Sequence, residues 1–177
     1  MFRDENRGED MRYMRGAAMP LMLTMGLAAC GSDPAPAPQP EEKPIVMQGG
    51  QWELTRRTTG YNTPTVTPAE YQQALKQIGE EKLCLAVDKD GVPDPNALAG
   101  AEGTECSYKD KMLRKGRLIA TLSCKAGAGT AEIAVEGNYT ADTLTLGTTM
   151  TKTEGGQPVL RTTHDLTGQR TGDCPKA

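Results

Sequence analysis

The chain has 177 residues, 37% hydrophobic and 24% charged, with a net charge of −3, one His and five Cys. That balance excludes a basic nucleic-acid binder, and a lone His excludes any multi-His metal site. Six of the nine Met fall within the first 25 residues and five of the twelve Pro lie between Pro34 and Pro44, so the averages mix unlike segments that are read separately.

Residues 1–29 read as a targeting segment. Gly16 to Ala29 is a charge-free, mostly apolar stretch preceded by Arg12 and Arg15. It is short of the roughly 20 apolar residues a spanning helix needs, and it fits a signal-peptide core. Leu27-Ala28-Ala29-Cys30 resembles the lipobox of bacterial lipoproteins, which implies cleavage before Cys30 and acylation of its thiol. Residues 1–10 carry Asp4, Glu5, Glu9 and Asp10. Acidic residues ahead of the basic region suit no signal and point to translation starting at Met11 or Met14. Gly31 and Ser32 follow the Cys, with Asp only third, at Asp33. By resemblance to the sorting rule of diderm bacteria, that implies the periplasmic face of the outer membrane. Two or more acyl chains anchor a protein without crossing the bilayer.

Residues 30–44 form the lipidated Cys and a Pro-rich tether. Alternating Pro favours an extended polyproline II chain, with a reach on the order of 40 Å.

Residues 45–177 have the size of one domain with one core. Their Thr-rich composition, 20 Thr between Thr55 and Thr171, suits half-exposed pleated surfaces and predicts a mainly β fold. Trp52, where the tether ends, is read as a core anchor. Thr67-Pro68-Ala69-Glu70 carries a capping box, and Tyr71, Ala74, Leu75 and Ile78 follow at helical spacing up to Gly79. The spacing predicts one short amphipathic helix with its apolar stripe on the sheet.

Arg114-Lys115-Gly116 signals a three-residue hairpin turn. Folding about Lys115 sets Cys106 opposite Cys124, Tyr108 opposite Leu122 and Met112 opposite Leu118. This predicts a Cys106–Cys124 disulfide in an exported chain, and Cys84 then joins Cys174. A second hairpin turns at Ala141-Asp142 and pairs Tyr139 with Leu144, Gly137 with Leu146, Val135 with Thr148 and Ile133 with Met150. A third turn at Glu154-Gly155-Gly156 sets Leu160 beside Met150, Leu166 beside Leu144, and His164 across from Leu146. Opening strands at Gln51–Thr59 and near Leu83–Val87 complete an antiparallel meander that forms a curved sheet or partly closed barrel.

Catalytic signatures are sparse. Ser107 and Ser123 lie on the outer strand phase beside the Cys, in no nucleophile motif. Two disulfides would leave no free thiol for Cys–His catalysis. The four Cys lack the CxxC spacing of a zinc site. Asp88-Lys89-Asp90-Gly91 is a calcium-loop fragment whose outer ligand positions fall on Ala86 and Ala97, so it is read as a turn. No metal or cofactor is expected.

Gly50-x-Trp52-Glu53, Cys84-Leu85, Cys106, Cys124, the Tyr139 to Asp142 turn and Gly168-x-Arg170…Gly172-Asp173-Cys174 follow in an order that resembles the bacterial exported proteins of domain of unknown function 3617. The likeness runs from about residue 49 to 174, and the 61–82 stretch with its helix departs from the pattern. The resemblance implies an envelope location and supplies no catalytic residues.

Two function classes stay open, with an enzyme ranked third. The preferred one is a small apolar or amphipathic ligand held inside the sheet, against Tyr139, Leu144, Leu146, Met150 and His164. The other is an interaction lipoprotein that meets an envelope partner through its Thr-rich face or an exposed edge. The targeting segment carries its own prediction. Intact mass spectrometry of membrane-extracted protein should show a chain that begins at an acylated Cys30. Cys30→Ser should abolish that mass increment and release the protein from membranes, and an unacylated wild-type chain would refute the assignment.

Overall fold

The computed structural model describes residues 44–175. The signal segment, Cys30 and the tether up to residue 43 lie outside the described residues. Seven strands, β1 (Gly50–Asn62), β2 (Ile78–Leu85), β3 (Thr104–Arg114), β4 (Arg117–Ala126), β5 (Gly129–Tyr139), β6 (Thr143–Glu154) and β7 (Gln157–Gly172), form one antiparallel sheet. Their spatial order is β2-β1-β7-β6-β5-β4-β3, so the sheet is open and β2 and β3 are its edges. Two short helices, α1 (Pro68–Ala74) and α2 (Pro95–Ala99), and a 3₁₀ turn (Gly100–Glu102) complete the fold.

Period-2 alternation sets the faces. In β5, Ala131, Ile133, Val135 and Tyr139 are buried while Glu132, Ala134, Glu136 and Asn138 are exposed. In β6, Leu144, Leu146, Thr148 and Met150 point the same way. Trp52 is completely buried, and its indole Nε1 donates to the Gln48 carbonyl at 3.1 Å. The inward side chains of the strands join Leu98 and Ala99 of α2 in one core.

The β5–β6 hairpin has the expected pairs: Tyr139 with Leu144, Gly137 with Leu146, Val135 with Thr148 and Ile133 with Met150. The β3–β4 and β6–β7 hairpins differ instructively. Lys115 (φ 50°) and Gly116 (φ 75°) make a two-residue turn with both residues left-handed, so Arg114 pairs with Arg117 and Leu113 with Leu118. Met112 therefore faces outward, 47% exposed, instead of meeting Leu118. An irregularity between Tyr108 and Asp110 then restores the expected Tyr108–Leu122 pair. At the third turn, Gly155 (φ 57°) and Gly156 (φ 79°) again make a two-residue loop, and a second irregularity follows at Lys152/Thr153. The two offsets add to a register shift of two. Leu166 pairs with Leu146, His164 with Thr148 and Leu160 with Lys152. A shift of two changes partners and keeps every side chain on its face.

The helix is the main departure. Thr67 and Glu70 form the full capping box behind Pro68, yet α1 buries no residue and Tyr71 is exposed. It stops early because the Thr58 amide takes the Gln77 carbonyl at 3.1 Å, and the chain then enters the ladder with Ile78 beside Arg57. Ile78, expected on the helical stripe, opens β2 and is 56% exposed. The second strand accordingly spans Ile78–Leu85 in place of Leu83–Val87.

Both disulfides form as expected, Cys84–Cys174 with Cα atoms 5.5 Å apart and Cys106–Cys124 with Cα atoms 4.1 Å apart. They close sequence separations of 90 and 18 residues, for which chain entropy gives about 4.6 and about 3 kcal/mol. Removing Cys84–Cys174 by a double Ala substitution should therefore lower the urea midpoint more than removing Cys106–Cys124. Equal or inverted losses would show that native packing outweighs chain entropy here.

Candidate functional site

The inward phase of β1 runs Trp52, Leu54, Arg56, Thr58, so an apolar phase turns polar halfway along the strand. The neighbouring strands do the same. Thr58 lies beside His164 of β7, and His164 beside Thr148 of β6. Thr162, two residues back on β7, is also buried. Three adjacent strands thus place a polar patch on an otherwise apolar face.

The 3₁₀ turn covers this patch and delivers Glu102. Its Oε1 lies 2.6 Å from His164 Nε2 and also accepts from the Thr162 hydroxyl. Burial pushes the Glu102 carboxyl up, but the His164 and Thr162 hydrogen bonds and the charges of His164 and Arg56 outweigh it. Its pKa lies below the ordinary value. An ionised Glu102 accepts only, so Nε2 of His164 carries the proton. The other ring nitrogen, Nδ1, shares a hydrogen bond with the Thr58 hydroxyl 3.2 Å away. Arg56 Nη2 donates to the Leu98 carbonyl at 2.7 Å. Burial draws the guanidinium below its ordinary pKa, opposed by Glu102 and Glu81.

Three buried side-chain atoms among the described residues have no protein partner: Arg56 Nη1, Glu102 Oε2 and Thr148 Oγ1. All three belong to this patch. An unmet buried polar atom costs about 1–3 kcal/mol, so their concentration in one place marks the patch as more than a satisfied core.

Beside the patch lies a cleft of about 660 Å³, between Leu54, Arg56, His164 and Leu166 on the sheet, Gln77 to Glu81 at the start of β2, and Gly100 to Glu102. That volume falls in the range of small-molecule sites. One wall is polar and charged, and Leu54, Ile78 and Leu166 are apolar.

Of the five residues expected to line a ligand pocket, only His164 borders this cleft. Leu144, Leu146 and Met150 are buried in the continuous apolar core. Tyr139 lies at the other end of its strand, where its hydroxyl donates to the Ile45 carbonyl at 3.3 Å. Arg56, Thr58, Glu102, Thr148 and Thr162 were not singled out by the sequence reading. A charged Arg56 on the phase of Trp52 and Leu54 was a usable signal. Glu102 gave none, because it sits in an irregular connection.

The remaining motifs are structural. Asp88 accepts from the Asp90 and Val92 amides, each at 2.9 Å, in the expected turn. Ser107 and Ser123 are exposed on the outer face. Arg170 Nε donates to the Gly49 carbonyl at 2.9 Å, and its Nη2 pairs with Asp173. A Cβ at Gly50 would come within 2.7 Å of Arg170 Nε and 2.3 Å of the Gly172 carbonyl, so only glycine admits this clamp.

Residues 43–174 match the model of a family described as Protein of unknown function (DUF3617), and the chain belongs to that family. Neither a curated protein nor a solved structure matches it.

The Glu102–His164 contact predicts a pH signature. A carboxyl whose folded pKa lies below its ordinary 4.5 stabilises the fold above that value and loses the contribution as pH falls through the folded one. Glu102→Gln should cost about 1–3 kcal/mol at pH 7 in urea unfolding. The gap to wild type should close below the carboxyl's range. A gap that stays constant down to pH 3 would refute the assignment.

Proposed function

We propose that this member of the DUF3617 family is a lipid-anchored binding protein of the bacterial envelope, held through Cys30 at the periplasmic face of the outer membrane. Its ligand is small and amphipathic. The apolar part lies along Leu54, Ile78 and Leu166, and the head points to Arg56, Glu102 and His164. The observation that carries this reading is the gathering of unpartnered buried polar atoms, two of them on Arg56 and Glu102, which line a cleft of ligand size. Apolar walls with a few convergent polar groups are the usual composition of a small-molecule site.

Binding is preferred over catalysis because the polar side chains are largely engaged with one another. His164 holds Glu102 and Thr58, and Arg56 holds the Leu98 carbonyl. A second reading, docking of an envelope protein along the sheet edge, draws on β2, of which only Leu85 is buried. Glu80, Glu81 and Lys82 on that strand are the kind of charges that blunt edge pairing.

The test is to purify the protein from native membranes and identify co-extracted small molecules by mass spectrometry. One class should be retained in near-stoichiometric amount. Ala101→Trp, which fills the cleft from an exposed position on the turn, should lose it. Equal retention by wild type and Ala101→Trp would refute the cleft as the site, and an empty wild-type protein would count against binding altogether.

A further inference from the structure

The reading above leaves the ligand's head group open, and the wall of the cleft narrows it. One unpartnered atom is a donor, Arg56 Nη1, and another is an acceptor, Glu102 Oε2. Both are closed off from bulk water, while their residues form part of the cleft wall. Turning either side chain toward the cleft would present that atom to a bound head. The head must therefore offer an acceptor to Arg56 and a donor to Glu102.

A carboxylate supplies acceptors alone, and beside an ionised Glu102 it adds repulsion in a poorly hydrated place. An ammonium supplies donors alone and leaves Arg56 Nη1 unmet. The charges around the cleft agree. Glu80, Glu81 and Glu102 outnumber Arg56 and His164 along its wall. This field disfavours anions, and the buried guanidinium disfavours cations at the point of contact.

We infer that the cleft selects an amphiphile whose head is neutral and carries both a donor and an acceptor, as a primary amide or a hydroxylated ester does. This rests on the binding reading and deepens it. The three simplest probes differ only in the head: decanamide, decanoate and decylamine.

The experiment is calorimetric titration of the full-length chain carrying Cys30→Ser, at pH 7.5 and below each probe's micelle concentration. Decanamide should bind at least tenfold more tightly than either charged probe. In Glu102→Gln the preference for decanamide over decanoate should shrink at least fivefold, because the repelling charge is gone. Decanoate or decylamine binding as tightly as decanamide in the unaltered cleft would overturn the head-group inference and leave the binding reading standing. A preference undiminished in Glu102→Gln would also overturn it, since Glu102 would then not be the discriminating group. No binding of any probe would overturn the binding reading and this inference with it.

Discussion

The fold is governed by one topological constraint: consecutive strands β2 and β3 stand at opposite edges of a single open sheet. Flat, six strand spacings would separate them by about 29 Å, and residues 86–103 must make that journey. They cross the buried face. Leu98 and Ala99 of the crossing segment are fully buried in the same core as Trp52, Leu118 and Ile133. Met47, from the segment before β1, joins them in the same core, so the apolar face is covered by chain from both sides of the first two strands. The crossing segment is thus part of the core it passes over.

An irregular backbone laid over a buried face brings carbonyls and amides that need partners. The sheet supplies them. Arg56 meets the Leu98 carbonyl, the Tyr108 hydroxyl meets the Pro93 carbonyl at 2.8 Å, and Asn96 Oδ1 accepts the Cys106 amide at 2.9 Å. Burial pushes the Tyr108 hydroxyl well above its ordinary pKa, so it stays a donor in any physiological medium. The polar patch is therefore tied to the topology, because charged and hydroxylated residues sit where the crossing segment must be held. What the topology leaves over is the surplus: a guanidinium nitrogen, a carboxylate oxygen and a threonine hydroxyl with nothing to bind. The disulfides frame the same segment. Cys84 lies just before it and Cys106 just after it, so the crossing starts and ends at covalently fixed points.

Much of this frame was legible in the alternation of side chains. The β5–β6 hairpin could be paired residue by residue because it turns at the two residues read as its tip and no irregularity interrupts it. The β6–β7 partners slipped by two because a shorter loop and a bulge each moved the register by one, and neither leaves a mark in apolar periodicity. The faces survived that slip, and His164 stayed inward. Met112 did not survive, since a single unit of offset acts between the turn and the bulge. The α1 stripe misled because Tyr71, Ala74, Leu75 and Ile78 do fit a helix locally. The hydrogen bond from Thr58 to Gln77 lies beyond any local pattern. The candidate site was the least legible part. It depends on Glu102, whose position is set by where a non-periodic connection happens to cross.

The residues that carry the family likeness belong almost entirely to the frame. Trp52 fills the core, Gly50 makes room for Arg170, Arg170 ties the start of β1 to the end of β7, and the four Cys hold the sheet and the crossing segment. Arg56, Glu102 and His164 are in none of those motifs. Those frame residues identify the fold and are silent about the cleft. The polar surplus that the crossing segment leaves, at Arg56, Glu102 and Thr148, lies outside the residues that carry the likeness.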